Sequence, residues 1–211
     1  MAHPAVRAED MCGSNRRTKG LFWMELTVND GAATGIADIL ETWAPALGGD
    51  YRGYVNHAIR VVQVADLLHL RAGGGEAELP SALPEFVVAA AFHDLGIWSD
   101  GTWDYLPPSI ERAERWLRDT GDETRIPLVT TMIDDHHKLR AAAGPLSPVE
   151  LFRKADTVDF TSGTVRFGLS ARDYRAVRRA YPSSGFHWKL VKLATAGALR
   201  HPLHPAPMVK F

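Results

Sequence analysis

The sequence predicts an all-α protein, a compact bundle of several helices. Apolar residues recur at helical spacing in nearly every segment, and no convincing run of strand-like alternation competes with them. Prolines and glycines fall where helices should start and stop.

Taken in order, residues 1–23 open with the mixed-charge stretch "MAHPAVRAEDMCGSNRRTKG", lack the apolar core of a secretory signal and read as a flexible tail. Met24 begins the more structured-looking part, and residues 24–200 form a single expected domain. The first helix, 34–44, takes Thr34 as N-cap and ends before Pro45. A long helix over 52–71 carries Val55, Ile59, Val62 and Leu70 and is closed by Gly73, Gly74 and Gly75. Pro84 opens a helix that should run to Leu95, with Gly96 as its C-cap. A Trp- and Pro-rich loop, 97–107, leads into "PSIERAERWLRDTG", which Gly121 stops. Further helices are expected at about 124–139, 148–160, 170–181 and 185–199. Residues 201–211, with Pro202, Pro205 and Pro207, read as an extended arm on which His201 and His204 face solvent.

Composition narrows the function classes. Hydrophobic residues make up 45% and charged residues 23%, an ordinary globular balance, and 24 basic against 25 acidic residues offer nothing that would favour duplex nucleic acid. The run from Phe86 to Phe92 is far short of the roughly 20 residues a membrane span needs. Cys12 is the single cysteine, so an internal disulfide and a multi-cysteine zinc cluster are both excluded; a cytoplasmic location is the expectation.

The polar residues that stand on apolar faces carry the chemistry. His93 and Asp94 follow an apolar run that should be buried all round, and a buried ionised carboxylate is costly unless it is paired or coordinates a cation. His57 looks inward with Tyr54 at −3, Val61 at +4 and Val64 at +7, and His136 has Ile133, Met132 and Val129 behind it. His137, backed by Asp134 and Thr130, is the weaker inward candidate. Asp156 has Phe152 and Val149 behind it, and Asp159 stands one turn further on. Each alone has an ordinary structural explanation. Together they put imidazole nitrogen and carboxylate oxygen on four successive helices, a donor set that suits zinc, iron, manganese or nickel.

His57, then "HD" at 93–94, then Asp156 within "RKADTVD" resemble the H…HD…D pattern of the HD-domain superfamily, with "FHDLGIW" the most specific part and "DDHHK" at 134–138 extending the likeness. The likeness covers about residues 50–165. It implies an all-helical domain with a metal site between helices and a metal-dependent phosphohydrolase acting on a small phosphate ester such as a nucleotide. It also implies His57, His93, Asp94 and Asp156 as ligands of a divalent ion (zinc, manganese, iron, nickel or cobalt), expected at one per chain. Asp94 would orient or deprotonate a bound water, and His136, a second catalytic candidate, could donate to the leaving group, contact phosphate or bind a second metal. Arg60 and Lys138 are the candidate cations for the phosphoryl oxygens.

Two departures temper the likeness. No histidine lies between His93 and His136 to complete a two-metal pattern; Glu111 or Glu114 could stand in, although both sit on a helix whose charges read as solvated. Ile97 occupies the place where some nucleotidases carry a glutamate, leaving Asp100 and Asp104 as substitutes. Trp98, Trp103 and Tyr105 could stack on a planar ligand, form a lid or plug the helix ends, and Phe186, His187 and Trp188 could reach the pocket. The competing functions are di-iron oxygen chemistry, hydration of a nitrile-like molecule and a metal-stabilised binding module without turnover. Partners expected are a small phosphorylated molecule and no membrane, with a homo-oligomer left open.

Overall fold

The structure, a computed structural model, describes residues 30–185 and 208–210. They are helical, with no β-strand among the described residues: α1 Asp30–Glu41, α2 Ala44–Leu47, α3 Tyr51–Arg71, α4 Pro84–Phe92, α5 Gly96–Ser99, α6 Leu106–Asp119, α7 Ile126–Asp135, α8 Pro148–Phe160 and α9 Ala171–Ala180. The all-α expectation holds. No described helix is long and apolar enough to cross a membrane.

Helix α3, 21 residues long, is the axis of the bundle. It packs most heavily on α8 and also meets α1, α4 and α9, so it is buried on nearly every side, from Tyr54 and Ala58 through Val61, Val62, Val64 and Ala65 to Leu68. Helix α4 is apolar all round because it is enclosed: Phe86, Val88, Ala89, Ala90, Ala91 and Phe92 are all buried, with α1, α3, α6 and α7 around them. Helix α6 is amphipathic instead. Leu106, Ser109, Ala113 and Leu117 face the core, while Glu111 pairs with Arg115 and Glu114 with Arg118 one turn apart on the outside. The two glutamates therefore belong to a solvated face and are not stand-in metal ligands.

Several boundaries differ from the sequence expectations. The first helix begins at Asp30, so Thr34 is an exposed mid-helix residue, and Pro45 opens the short α2 where its missing N–H is harmless. Ser170, not singled out beforehand, caps α9 by accepting from the Asp173 N–H at 3.1 Å. Gly96 is the first residue of α5 and has no positive φ, so it is not a C-cap. A Cβ there would lie 2.4 Å from the Tyr105 carbonyl oxygen, and its N–H donates to Ser109 Oγ at 2.9 Å. The glycine lets the start of α5 press against the start of α6. The expected helix at 185–199, beyond Gly185, and the tail at 1–23 lie outside the described residues, as do Phe186, His187, Trp188, His201 and His204. The end of the C-terminal arm is described at 208–210, where Met208 is buried and Lys210 accepts from the Leu139 N–H at 2.9 Å.

Candidate metal centre

Four helices bring the predicted residues to one buried point. His57 comes from α3, His93 and Asp94 from the turn that ends α4, His136 from the turn after α7, and Asp156 from α8. All five are at most 4% exposed. The turn after α4 is held from α3: the Tyr54 hydroxyl donates to the Ala91 carbonyl at 3.0 Å and accepts from the Asp94 N–H at 3.2 Å. Tyr54, one turn before His57, is a positioning residue that the sequence did not single out.

The ring nitrogens are oriented by what they touch. His93 Nδ1 lies 2.9 Å from the Ala90 carbonyl and His136 Nδ1 2.6 Å from the Ile133 carbonyl, both acceptors only, so each Nδ1 carries a proton and each Nε2 is the atom turned toward the carboxylates. His57 Nδ1 lies 2.7 Å from Asp159 Oδ2, which orients the ring in the same sense. His57 Nε2 and His93 Nε2 then face each other at 3.0 Å, a repulsive contact unless a proton or cation stands between them. Around them, His57 Nε2 is 3.4 Å from Asp156 Oδ1 and 3.9 Å from Asp94 Oδ2, and His93 Nε2 is 3.4 Å from Asp94 Oδ2 and 3.7 Å from Asp156 Oδ1. Ligands about 2.1 Å from a common tetrahedral ion stand about 3.4 Å apart, so these separations could accommodate one.

Electrostatics point the same way. Arg60 neutralises Asp159, which leaves Asp94 and Asp156 as two buried carboxylates among imidazoles. Two such charges require compensation by a proton or a cation. Burial opposes a charged His57, yet hydrogen bonds to Asp156 and Asp159 outweigh it and push its pKa up to about 9. Burial also works against ionised Asp94 and Asp156. His93 and His136 nevertheless hold Asp94 well below the usual carboxylate range, and His57 and His93 do the same for Asp156. The buried His/Asp group could hold a metal ion, with His57, His93 and Asp94 forming one compact set of donors.

Behind His57, Asp159 accepts from Arg60 Nε and from a terminal guanidinium nitrogen, both at 2.7 Å, and from the Tyr174 hydroxyl at 2.9 Å. Arg60 is fully buried and also donates to the Tyr181 carbonyl at 3.0 Å. Its expected contact with substrate gives way to this second role: it stands behind the histidine and fixes the carboxylate that orients it. Lys138 stays beside the histidine pair, its ammonium 2.8 Å from Asp135 and about a third exposed (31%).

His137, the weaker inward candidate, also belongs here. Helix α7 ends at Asp135, so helical periodicity no longer governs residues 136 and 137, and Asp94, His136 and His137 form a second compact donor set. Burial and the neighbouring His136 push the His137 pKa down to about 3. Of the three aromatic residues in the loop, Tyr105 reaches the centre, with its hydroxyl 2.6 Å from His137 Nε2. Trp98 packs on Tyr54 at 4.9 Å between ring centroids and donates to Asp50 at 3.0 Å, while Trp103 packs against the core from a partly buried position. Asp100 is paired with Arg112 and Asp104 is exposed, so neither replaces the absent glutamate.

Comparison with known proteins adds no assignment: no family model, curated protein or solved structure matches this chain.

Proposed function

We propose that the chain is an HD-domain-type, metal-dependent hydrolase of a small phosphate ester. The observation that carries this reading is the convergence of His57, His93, Asp94 and Asp156 at one buried point, with the Nε2 atoms of His57 and His93 3.0 Å apart. In this reading these four residues hold one divalent ion. When bound, the ion supplies an activated water near neutral pH and positive charge for a phosphoryl oxygen. Asp94 Oδ1, buried without a hydrogen-bond partner, orients that water, while its low proton affinity suits it poorly to be the base. His136 Nε2, 3.5 Å from Asp94 Oδ1 and also without a partner, takes the proton and returns it to the leaving group. Lys138, beside the histidine pair and partly open to solvent, meets the phosphate.

A second reading, oxygen chemistry at a two-iron centre, gains from the additional Asp94, His136 and His137 donor set. Metal analysis of protein purified without chelator, together with phosphate release from nucleotides and generic phosphate esters, separates the two. Phosphatase activity that disappears in both His57→Ala and Asp94→Ala is the expected result. Activity unchanged in both variants sinks the site assignment, and two irons per chain with dioxygen uptake moves the assignment to the second reading.

A further inference from the structure

On the α7 side of the centre, Asp94, His136 and His137 place one carboxylate oxygen and two ring nitrogens within 4.8 Å of one another. Asp94 Oδ1 and His136 Nε2 are buried, lack hydrogen-bond partners and lie 3.5 Å apart, with the other ring nitrogen of His136 held by the Ile133 carbonyl. A buried carboxylate oxygen facing an imidazole nitrogen calls for a proton or a cation between them. The third donor is occupied, because His137 Nε2 lies 2.6 Å from the Tyr105 hydroxyl. The residue that carries it is firmly placed. Tyr105 is 4% exposed, its carbonyl accepts from the Ser109 N–H at 3.1 Å, and Gly96 presses against the same carbonyl.

We propose that Tyr105 is the gate on a second cation position. While its hydroxyl holds His137 Nε2, Asp94 and His136 offer two donors, fewer than the three protein ligands typical of an open catalytic site. Without the hydroxyl, His137 completes a His, His, Asp site for a second divalent ion of the zinc, manganese or ferrous class. Tyr105 thereby sets whether the centre works with one ion or two. The inference rests on the metal-centre reading above, and deepens it by naming what controls occupancy.

Equilibrium dialysis with Mn²⁺ or Zn²⁺ tests it on the full chain, comparing the wild type with Tyr105→Phe, His137→Gln and the double variant. Loss of one hydrogen bond from the competing state should tighten the second ion about tenfold. The expected pattern is an unchanged first ion in Tyr105→Phe, which also reports an intact fold, with a second ion about tenfold tighter than in the wild type. The double variant returns to weak second binding, and His137→Gln alone binds its second ion no more tightly than the wild type. Equal second-ion affinities in the wild type and Tyr105→Phe overturn the gate, as does tight second binding that survives His137→Gln. Those failures leave the first ion in place, whereas protein that binds no ion at all overturns the metal centre and the gate together.

Discussion

On the side of the centre built by α3, α8 and α9, His57, Asp159, Arg60 and Tyr174 interlock through contacts of 2.7–2.9 Å, all buried. On the side built by the ends of α4 and α7, Asp94 Oδ1 and His136 Nε2 have no hydrogen-bond partner, and His137 is met by a tyrosine from a loop. A fully satisfied buried network rigidifies what it holds, whereas unpaired buried groups are costly and persist where something is to be bound. Under the proposed function, the first side is the part that fixes a ligand and the second the part left ready to react.

The comparison can be broken most sharply at Asp94, which faces both sides. Asp94→Ala should weaken metal affinity more than the ~10–100-fold typical of losing an outer partner, as measured by competition with a chromogenic chelator. Affinity equal to the wild type would remove the shared carboxylate from the picture.

Next is Asp159→Asn, which strands the Arg60 guanidinium in the interior. A loss of about 3–5 kcal/mol in denaturant unfolding is expected, with metal affinity down about 10–100-fold. Replacing both members of the pair by apolar residues should recover much of the stability and none of the affinity. Stability loss without any change in affinity would reduce this side to scaffolding.

The pH dependence tests what compensates the two carboxylates. With the His57 pKa raised to about 9, the stability it contributes is fully present below its unfolded value of about 6.5 and is lost as pH rises through the folded value. The melting temperature of metal-free protein should fall across that window, and metal-loaded protein should fall less because an ion replaces the proton. A flat metal-free profile would contradict a protonated His57.

Smaller effects sharpen the picture further. Gly96→Ala, whose Cβ would meet the Tyr105 carbonyl at 2.4 Å, should destabilise by about 1–3 kcal/mol in thermal or denaturant unfolding. Tyr174→Phe removes one hydrogen bond to Asp159 and should cost about 1 kcal/mol, with the metal affinity little changed.

Much of the first side was legible beforehand. His57, Asp156 and Asp159 sit on apolar helical faces, and that pattern is local to each helix. The role of Arg60 was not legible, since a cation one turn from a histidine looks the same whether it turns toward a substrate or toward an aspartate 99 positions later. On the second side, His137 escapes a periodicity argument because α7 ends at Asp135 and the chain there has left helical register. Gly96 has the sequence signature of a helix stop but opens α5 instead. Its signal is a close approach to Tyr105 across the α5 and α6 boundary, and chain order carries no trace of that approach.

The sequence by itself determined that the chain is helical, where most helices lie, and that His57, His93, Asp94 and Asp156 look inward. Those properties follow from spacings of three and four residues and from where proline and glycine interrupt them. The tertiary structure alone decided which inward groups meet: Asp159 with His57 across 102 positions, and Tyr105 with His137 across 32. Such pairings depend on how helices cross and on where turns release a side chain from helical register. Hydrogen-bond geometry is selective over tenths of an ångström, so they are settled only when the whole bundle has closed.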